Sequence, residues 1–291
     1  MAQKKSIGII GGTGFYDIPG IEWTDERVIE TPFGNPSDAY RIGTLDELEI
    51  VFLPRHGRHH SILPSEINSR ANIYGMKSLG VEWLLTTSAV GSFREDLPPQ
   101  DIVIVDQFVD RTKDGNRQTF FGNGVIAHIG FSHPICNELS SLVYEAGKEV
   151  TDKIHMGGTY LNIEGPAFST RAESVLYKSW GMDVIGMTNI VEAKLAREAE
   201  ICFSTLAIVT DYDSWHEELD VVSTTSVIEN FNKAVVTARK VVESTLRKFQ
   251  LERNCACKDA LSDAFLTDVS TLPREKLNEF GVLLEKYLPN E

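Results

Sequence analysis

Short apolar runs that end in glycine or hydroxyl clusters narrow the folds open to this chain more than any other feature. Ser6-Ile7-Gly8-Ile9-Ile10 closes on Gly11-Gly12-Thr13-Gly14, and Glu49-Ile50-Val51-Phe52-Leu53 on Pro54-Arg55-His56-Gly57. Trp83-Leu84-Leu85-Thr86-Thr87 runs into Ser88-Ala89-Val90-Gly91-Ser92, and Leu206-Ala207-Ile208-Val209 into Thr210-Asp211-Tyr212-Asp213-Ser214-Trp215. Runs of this kind suit strands buried on both faces of a largely parallel sheet. Further strands are expected at 101–106, 160–163 and 183–186. Helices are expected at 68–79, stopped by Gly80, and at 192–200. A long helix should span about 225–249, where Val227, Ile228, Phe231, Val235, Ala238, Val242, Leu246 and Phe249 recur at spacings of three and four and read as core. A last helix should follow Pro273. Strands and helices are interspersed, so the expected fold is one α/β domain over residues 1–291. Its central sheet should be mixed, largely parallel and twisted, flanked by helices, with a C-terminal helical extension from about 255 to 291.

Composition then removes several functions. The chain carries 28 basic and 42 acidic residues, a net charge of −14, which argues against a nucleic-acid partner. No run of 18 apolar residues occurs, so no transmembrane helix and no membrane partner are expected. Met1-Ala2-Gln3-Lys4-Lys5 leads straight into a strand and does not resemble a secretory signal, which makes the cytoplasm the expected compartment. The four cysteines are Cys136, Cys202, Cys255 and Cys257. A disulfide across Cys255-Ala256-Cys257 would be strained, and a zinc site would need ligands beyond those two, none of which stands near them in the sequence.

The strand ends carry the chemistry, as ligand-binding ends of α/β sheets do. Gly11-Gly12-Thr13-Gly14 offers backbone N–H groups and a hydroxyl to an anion. It lacks the third glycine of a dinucleotide fingerprint and meets Pro19, so no nicotinamide cofactor is expected. Arg55-His56-Gly57-Arg58-His59-His60 concentrates two arginines and three histidines in an acidic chain. Phosphate suits that set better than a metal, which the arginines would repel. Ser88 and its neighbours again suit an oxyanion. Phe168, after the turn at Glu164-Gly165-Pro166, can stack on a planar base or pack in the core. Asp211 and Asp213 stand one residue apart at a strand end, placed to accept from the N–H groups of a ligand; alone, each also suits a helix cap.

Six ordered segments over about residues 6–250 resemble the purine nucleoside phosphorylase superfamily, closest to its methylthioadenosine phosphorylase branch. They are Ile9 to Gly14, Thr31-Pro32-Phe33-Gly34, Arg55 to Arg58, Ser88 to Ser92, Glu164 to Glu173, and Thr210 to Trp215. The resemblance implies a nucleoside phosphorylase fold and phosphorolysis of S-methyl-5′-thioadenosine to adenine and a methylthioribose 1-phosphate, a salvage reaction without metal or organic cofactor, phosphate being a co-substrate. It places phosphate on Thr13, Arg55, His56, Ser88, Ala89 and Thr188. It sets Met187 under the ribose, Phe168 at the base, and His60 near the 5′ side. Asp211 becomes the general acid toward the base and Asp213 its partner at the amino group. Thr224 and Val227 would line the 5′ pocket, with His128 and Leu283 contributed by a neighbouring subunit. That sharing implies a homo-oligomer, a trimer or a dimer of trimers. Some members with a Cys-x-Cys segment carry disulfides, with Cys136 and Cys202 as the candidate pair here.

Three rival readings follow from the same residues. A phosphate-independent nucleosidase would have no use for Arg55, His56 and Thr13. Phosphorolysis of 6-oxopurine nucleosides or methylthioinosine is disfavoured by the Asp211 and Asp213 pair, whereas adenosine remains open as a second substrate. A non-catalytic nucleotide binder would need no acid beside the base.

Overall fold

The computed structural model describes residues 5–12, 14–113, 118–216, 224–250 and 252–288. Along the chain run β1 (Ser6–Gly11), β2 (Glu22–Arg27), β3 (Tyr40–Leu45), β4 (Leu48–Pro54), α1 (Ser69–Ser78), β5 (Trp83–Ser92), β6 (Ile102–Ile104) and β7 (Gln107–Asp110). There follow α2 (Asn137–Lys148), β8 (Ile154–Met156), β9 (Thr159–Asn162), α3 (Arg171–Ser179), β10 (Val184–Gly186), α4 (Asn189–Glu198), β11 (Cys202–Tyr212), α5 (Thr224–Arg247) and α6 (Arg274–Phe280).

Among the described residues the strands form one mixed, largely parallel sheet. One path runs β2-β3-β4-β1-β5-β10-β9-β7, and a second branch leaves β5 through β11 and β6 to β8. Strand alternation sorts the core into layers. Ile7, Ile9, Ile50, Phe52, Trp83 and Leu85 meet α2 and α5 through Leu139, Val143, Ala234 and Ala238. Their neighbours Ile10, Val51, Leu53 and Leu84 meet α1 and α4 through Ile73, Met76, Ala193 and Leu195.

Helix ends follow their local chemistry. The Asn68 side chain accepts from the Ala71 N–H to start α1, and Gly80 takes φ 78 just beyond its end. Thr170 and Glu173 form a reciprocal capping box on α3.

Two departures from expectation matter for the site. The segments 88–92 and 210–212 are not loops after strands; they continue β5 and β11. The register of β11 against β5 shifts between Val209 and Asp211, so Thr210 is a bulged residue. A bulge turns the following side chain, which here is Asp211.

Candidate active site

The sheet splits at β5. Strand β1 pairs with β5 only as far as Thr86, and β10 joins the same edge only at Gly91. The stretch 87–90 therefore has no ladder partner on that side among the described residues. A cavity of about 610 Å³ opens there. Arg55, His56, His60, Ser88, Ala89, Phe168, Met187, Thr188, Asp211, Asp213 and Val227 all line it, although they come from segments spread over 170 residues.

Its anion end is built around Arg55, which is 2% exposed. Arg55 donates from Nε and Nη2 to both carboxylate oxygens of Glu192, at 2.6 and 2.8 Å, and from Nη1 to the Thr87 carbonyl at 2.7 Å. Glu192 also accepts from Asn189 Nδ2 at 3.0 Å. The guanidinium is thereby locked in orientation with part of its charge compensated. Ser88 shares a 3.1 Å hydrogen bond with the hydroxyl of fully buried Tyr160. Thr188 is the N-cap of α4 and makes no side-chain cap bond, so the positive end of that helix meets the cavity with a hydroxyl at its tip.

His56 faces the cavity as an acceptor and not as a donor. Burial, together with the Arg55 charge, pulls its pKa down to about 4, so the ring is neutral at pH 7. Nδ1 lies 2.8 Å from the Ile62 carbonyl. In a neutral ring only an Nδ1–H can meet that oxygen, which leaves Nε2 bare. A bare nitrogen can accept from a protonated oxyanion. His60 stacks on this ring with centroids 4.5 Å apart.

The opposite end is carboxylic. Thr210 Oγ1 donates to Asp211 Oδ1 at 2.6 Å. Burial, assisted by the Asp213 charge, raises the Asp211 pKa to about 7. Burial also raises that of Asp213. The Ser174 and Ser169 hydroxyls and the Ser214 N–H hydrogen-bond to Asp213 and oppose that rise. Gly91 lies beneath the pair: a Cβ there would sit 3.2 Å from Asp211 Oδ2 and 3.4 Å from Asp213 Cβ. Gly165, at φ +70, lets Met187 close in, since a Cβ there would be 2.5 Å from its Sδ. Phe168 stands at the rim, 44% exposed.

Other expected residues fall differently. Thr13 lies outside the described residues, as does the Thr224 side chain. Arg58 turns to the surface, where it pairs with Asp38 and Glu26 at 2.8 and 2.7 Å. The apolar stripe of α5 is not uniformly core: Val227, Ile228 and Phe231 line the cavity, while Val235, Ala238, Val242 and Leu246 are buried. His128 is exposed, away from the cavity of its own chain, and its N–H donates to the Ala264 carbonyl at 2.8 Å. Leu283 is 3% exposed and packs in the core of its own chain. Glu192, Tyr160 and Asn189 were not singled out in the sequence, and no local motif marks them.

A split sheet that gathers an oriented, buried arginine and two carboxyls of raised pKa in one cavity suits an enzyme whose substrates are an oxyanion and a nitrogen-bearing ligand. Residues 6–247 match the family model of the phosphorylase superfamily, and the chain belongs to that superfamily. It is 51% identical to S-methyl-5′-thioadenosine phosphorylase of Geobacter sulfurreducens, covering 98% of this chain and 100% of the relative. It is 49% identical to the protein of that name from Thermosynechococcus vestitus, again over 98% and 100%. A crystal structure of methylthioadenosine phosphorylase from an Antarctic soil metagenomic library superposes with a TM-score of 0.91 at 41% identity, covering 97% of this chain and 100% of that one. The Schistosoma mansoni methylthioadenosine phosphorylase in complex with adenine gives 0.84 at 36% identity, over 90% and 99%. Within the superfamily, the S-methyl-5′-thioadenosine phosphorylases are the family of this chain.

Proposed function

We propose that this protein catalyses phosphorolysis of S-methyl-5′-thioadenosine, giving adenine and S-methyl-5-thio-α-D-ribose 1-phosphate. Full-length identity near 50% to phosphorylases of that name supports the reaction. The single observation that carries the residue roles is one cavity with Arg55 and the bare His56 Nε2 at one end and Asp211 and Asp213 at the other.

Phosphate binds among Arg55, His56, Ser88, the Ala89 backbone, Thr188 and Thr13. Its oxygen attacks C1′ as the C1′–N9 bond breaks, through a transition state with positive charge on the ribose. The phosphate charge stabilises that ribose. Asp211, with a pKa matched to neutral pH, gives its proton to N7 of the departing purine. Asp213, which lines the same cavity beside Asp211, accepts from the exocyclic amine. Met187 packs under the ribose, Phe168 against the base, and His60 and Val227 toward the 5′ substituent. No organic cofactor enters this scheme.

A homo-oligomer, trimeric or a dimer of trimers, completes the 5′ end. Ile126 and Leu266, adjoining His128 in one backbone-paired patch, are 51% and 73% exposed, which supports burial of that face by a second copy. No helix among the described residues is long and apolar enough to cross a membrane. The substrate assignment is tested by comparing kcat/KM for methylthioadenosine, adenosine, methylthioinosine and inosine in saturating phosphate. The 6-aminopurines should lead, and methylthioadenosine should exceed adenosine. Equal turnover of inosine would overturn the role given to Asp213.

A further inference from the structure

All four cysteines of the chain converge on one point. Cys136 is the N-cap of α2, Cys202 opens β11, and Cys255 and Cys257 flank the start of a 3-10 turn at Ala256–Asp259. Their sulfurs all lie within 4.8 Å of one another. Cys136, Cys202 and Cys257 are buried and Cys255 is half-buried, and all four are free thiols. The expectation that Cys255 and Cys257 lack further ligands therefore fails, because the missing ones come from 53 and more residues away in the sequence.

The backbone sets this convergence before any ion arrives. The Cys136 N–H donates to the Phe203 carbonyl and the Cys202 N–H to the Glu82 carbonyl, both at 2.9 Å. Two cations act on the sulfurs: Arg253 hydrogen-bonds toward Cys202, and the charge of Arg197, whose head group is held by the Gly130 and His133 carbonyls, reaches Cys257. Arg253 is half-buried. Its Nη1 donates to Glu82 at 3.1 Å, which holds the head group in place.

We propose that these four cysteines form a closed tetrathiolate site for a structural divalent zinc ion. A tetrahedron with Zn–S near 2.3 Å has sulfur–sulfur edges of about 3.8 Å, compatible with this cluster. Two disulfides would require only two close pairs, such as Cys202 with Cys255, whose sulfurs are 3.2 Å apart, and Cys136 with Cys257, whereas here all four sulfurs lie within 4.8 Å of one another. The ion replaces four thiol protons, which pass to solvent, with no change of oxidation state. The resulting unit carries two net negative charges, partly offset by the nearby Arg253 and Arg197. None of the four cysteines lines the large cavity, so the ion ties the segment from residue 255 onward to α2 and β11.

The test uses the full chain, expressed with zinc and purified in parallel with and without reductant, the thiols being counted on the sample that has met none. Elemental analysis should find about one zinc per chain, and far less in the Cys255→Ser, Cys257→Ser variant. Cobalt(II) added to the reduced, metal-stripped wild type should give the intense visible bands of a tetrahedral thiolate complex, so the result does not depend on the variant folding. Two outcomes would overturn the proposal. One is four titratable thiols with neither zinc nor the cobalt spectrum; the other is no titratable thiol in denaturant until reductant is added, which means two disulfides.

Discussion

Arg55 grips Glu192 through two parallel hydrogen bonds of 2.6 and 2.8 Å, with the carboxylate only 1% exposed. A pair this enclosed is held in one geometry, and its remaining N–H groups point where the carboxylate and the Thr87 carbonyl leave them. Breaking a buried pair strands the surviving charge, at about 3–5 kcal/mol. Glu192→Ala should therefore lower thermal stability sharply. Phosphate should raise the Tm of this variant more than that of the wild type, because the ligand supplies the missing negative charge. Thermal unfolding with and without phosphate checks both.

Asp211→Asn keeps the shape and removes the proton donor. We expect kcat to fall by about 10²- to 10⁴-fold, the usual contribution of a general acid, with a smaller change in the phosphate KM. Asp213→Asn should affect KM for the nucleoside more than Asp211→Asn does. Steady-state kinetics in both substrates separates the two.

The pH dependence follows from the same carboxyl. Asp211 is active when protonated and its pKa is raised to about 7 from an ordinary 3.8. Activity governed by it should fall as pH rises through that value, and Asp211→Asn should lack this limb. Stability has the same sign. An acid whose pKa is raised by folding favours the fold below its unfolded value, and that contribution is lost as pH rises through the folded one. The Tm of Asp211→Asn should thus gain on the wild type between pH 4 and pH 8.

Gly91→Ala should lower activity without unfolding the protein. Its new Cβ would lie 3.1 Å from Ile185 Cγ2 as well as 3.2 Å from Asp211 Oδ2, tight enough to shift the acid by tenths of an ångström. Retained cooperative unfolding with a reduced kcat is the expected pair of results.

Tyr160→Phe removes the hydroxyl that meets Ser88 at 3.1 Å. One hydrogen bond is worth about 0.5–1.5 kcal/mol, so the KM for phosphate should rise roughly 2- to 12-fold. The nucleoside KM should change little.

Much of this was legible in the chain. Buried strands announce themselves by unbroken apolar runs, and α1 by Asn68 and Gly80. The hairpin of β2 and β3 did not, because Glu22–Arg27 is an edge strand that is mostly exposed and carries no apolar pattern. The helix α2 buries only Leu139, Ser140, Val143, Ala146 and Gly147, a face half made of small residues that periodicity does not reveal. At the site, residues beside a strand end were readable from local chemistry. Glu192 and Tyr160 were not, since each acts through a partner 137 or 72 positions away. The bulge at Thr210 is likewise invisible to residue type, yet it aims Asp211. The cysteine cluster is the clearest case: three separate elements supply it, and spacing along the chain exposes only the Cys255 and Cys257 pair.

The most direct test of the account is the release of adenine from S-methyl-5′-thioadenosine as phosphate is titrated, with the sugar product identified by phosphorus NMR. The account predicts no appreciable release without phosphate, saturable release with it, and one sugar 1-phosphate formed per adenine. Adenine release at full rate without phosphate, yielding the free sugar, would contradict it and remove the role assigned to Arg55 and His56.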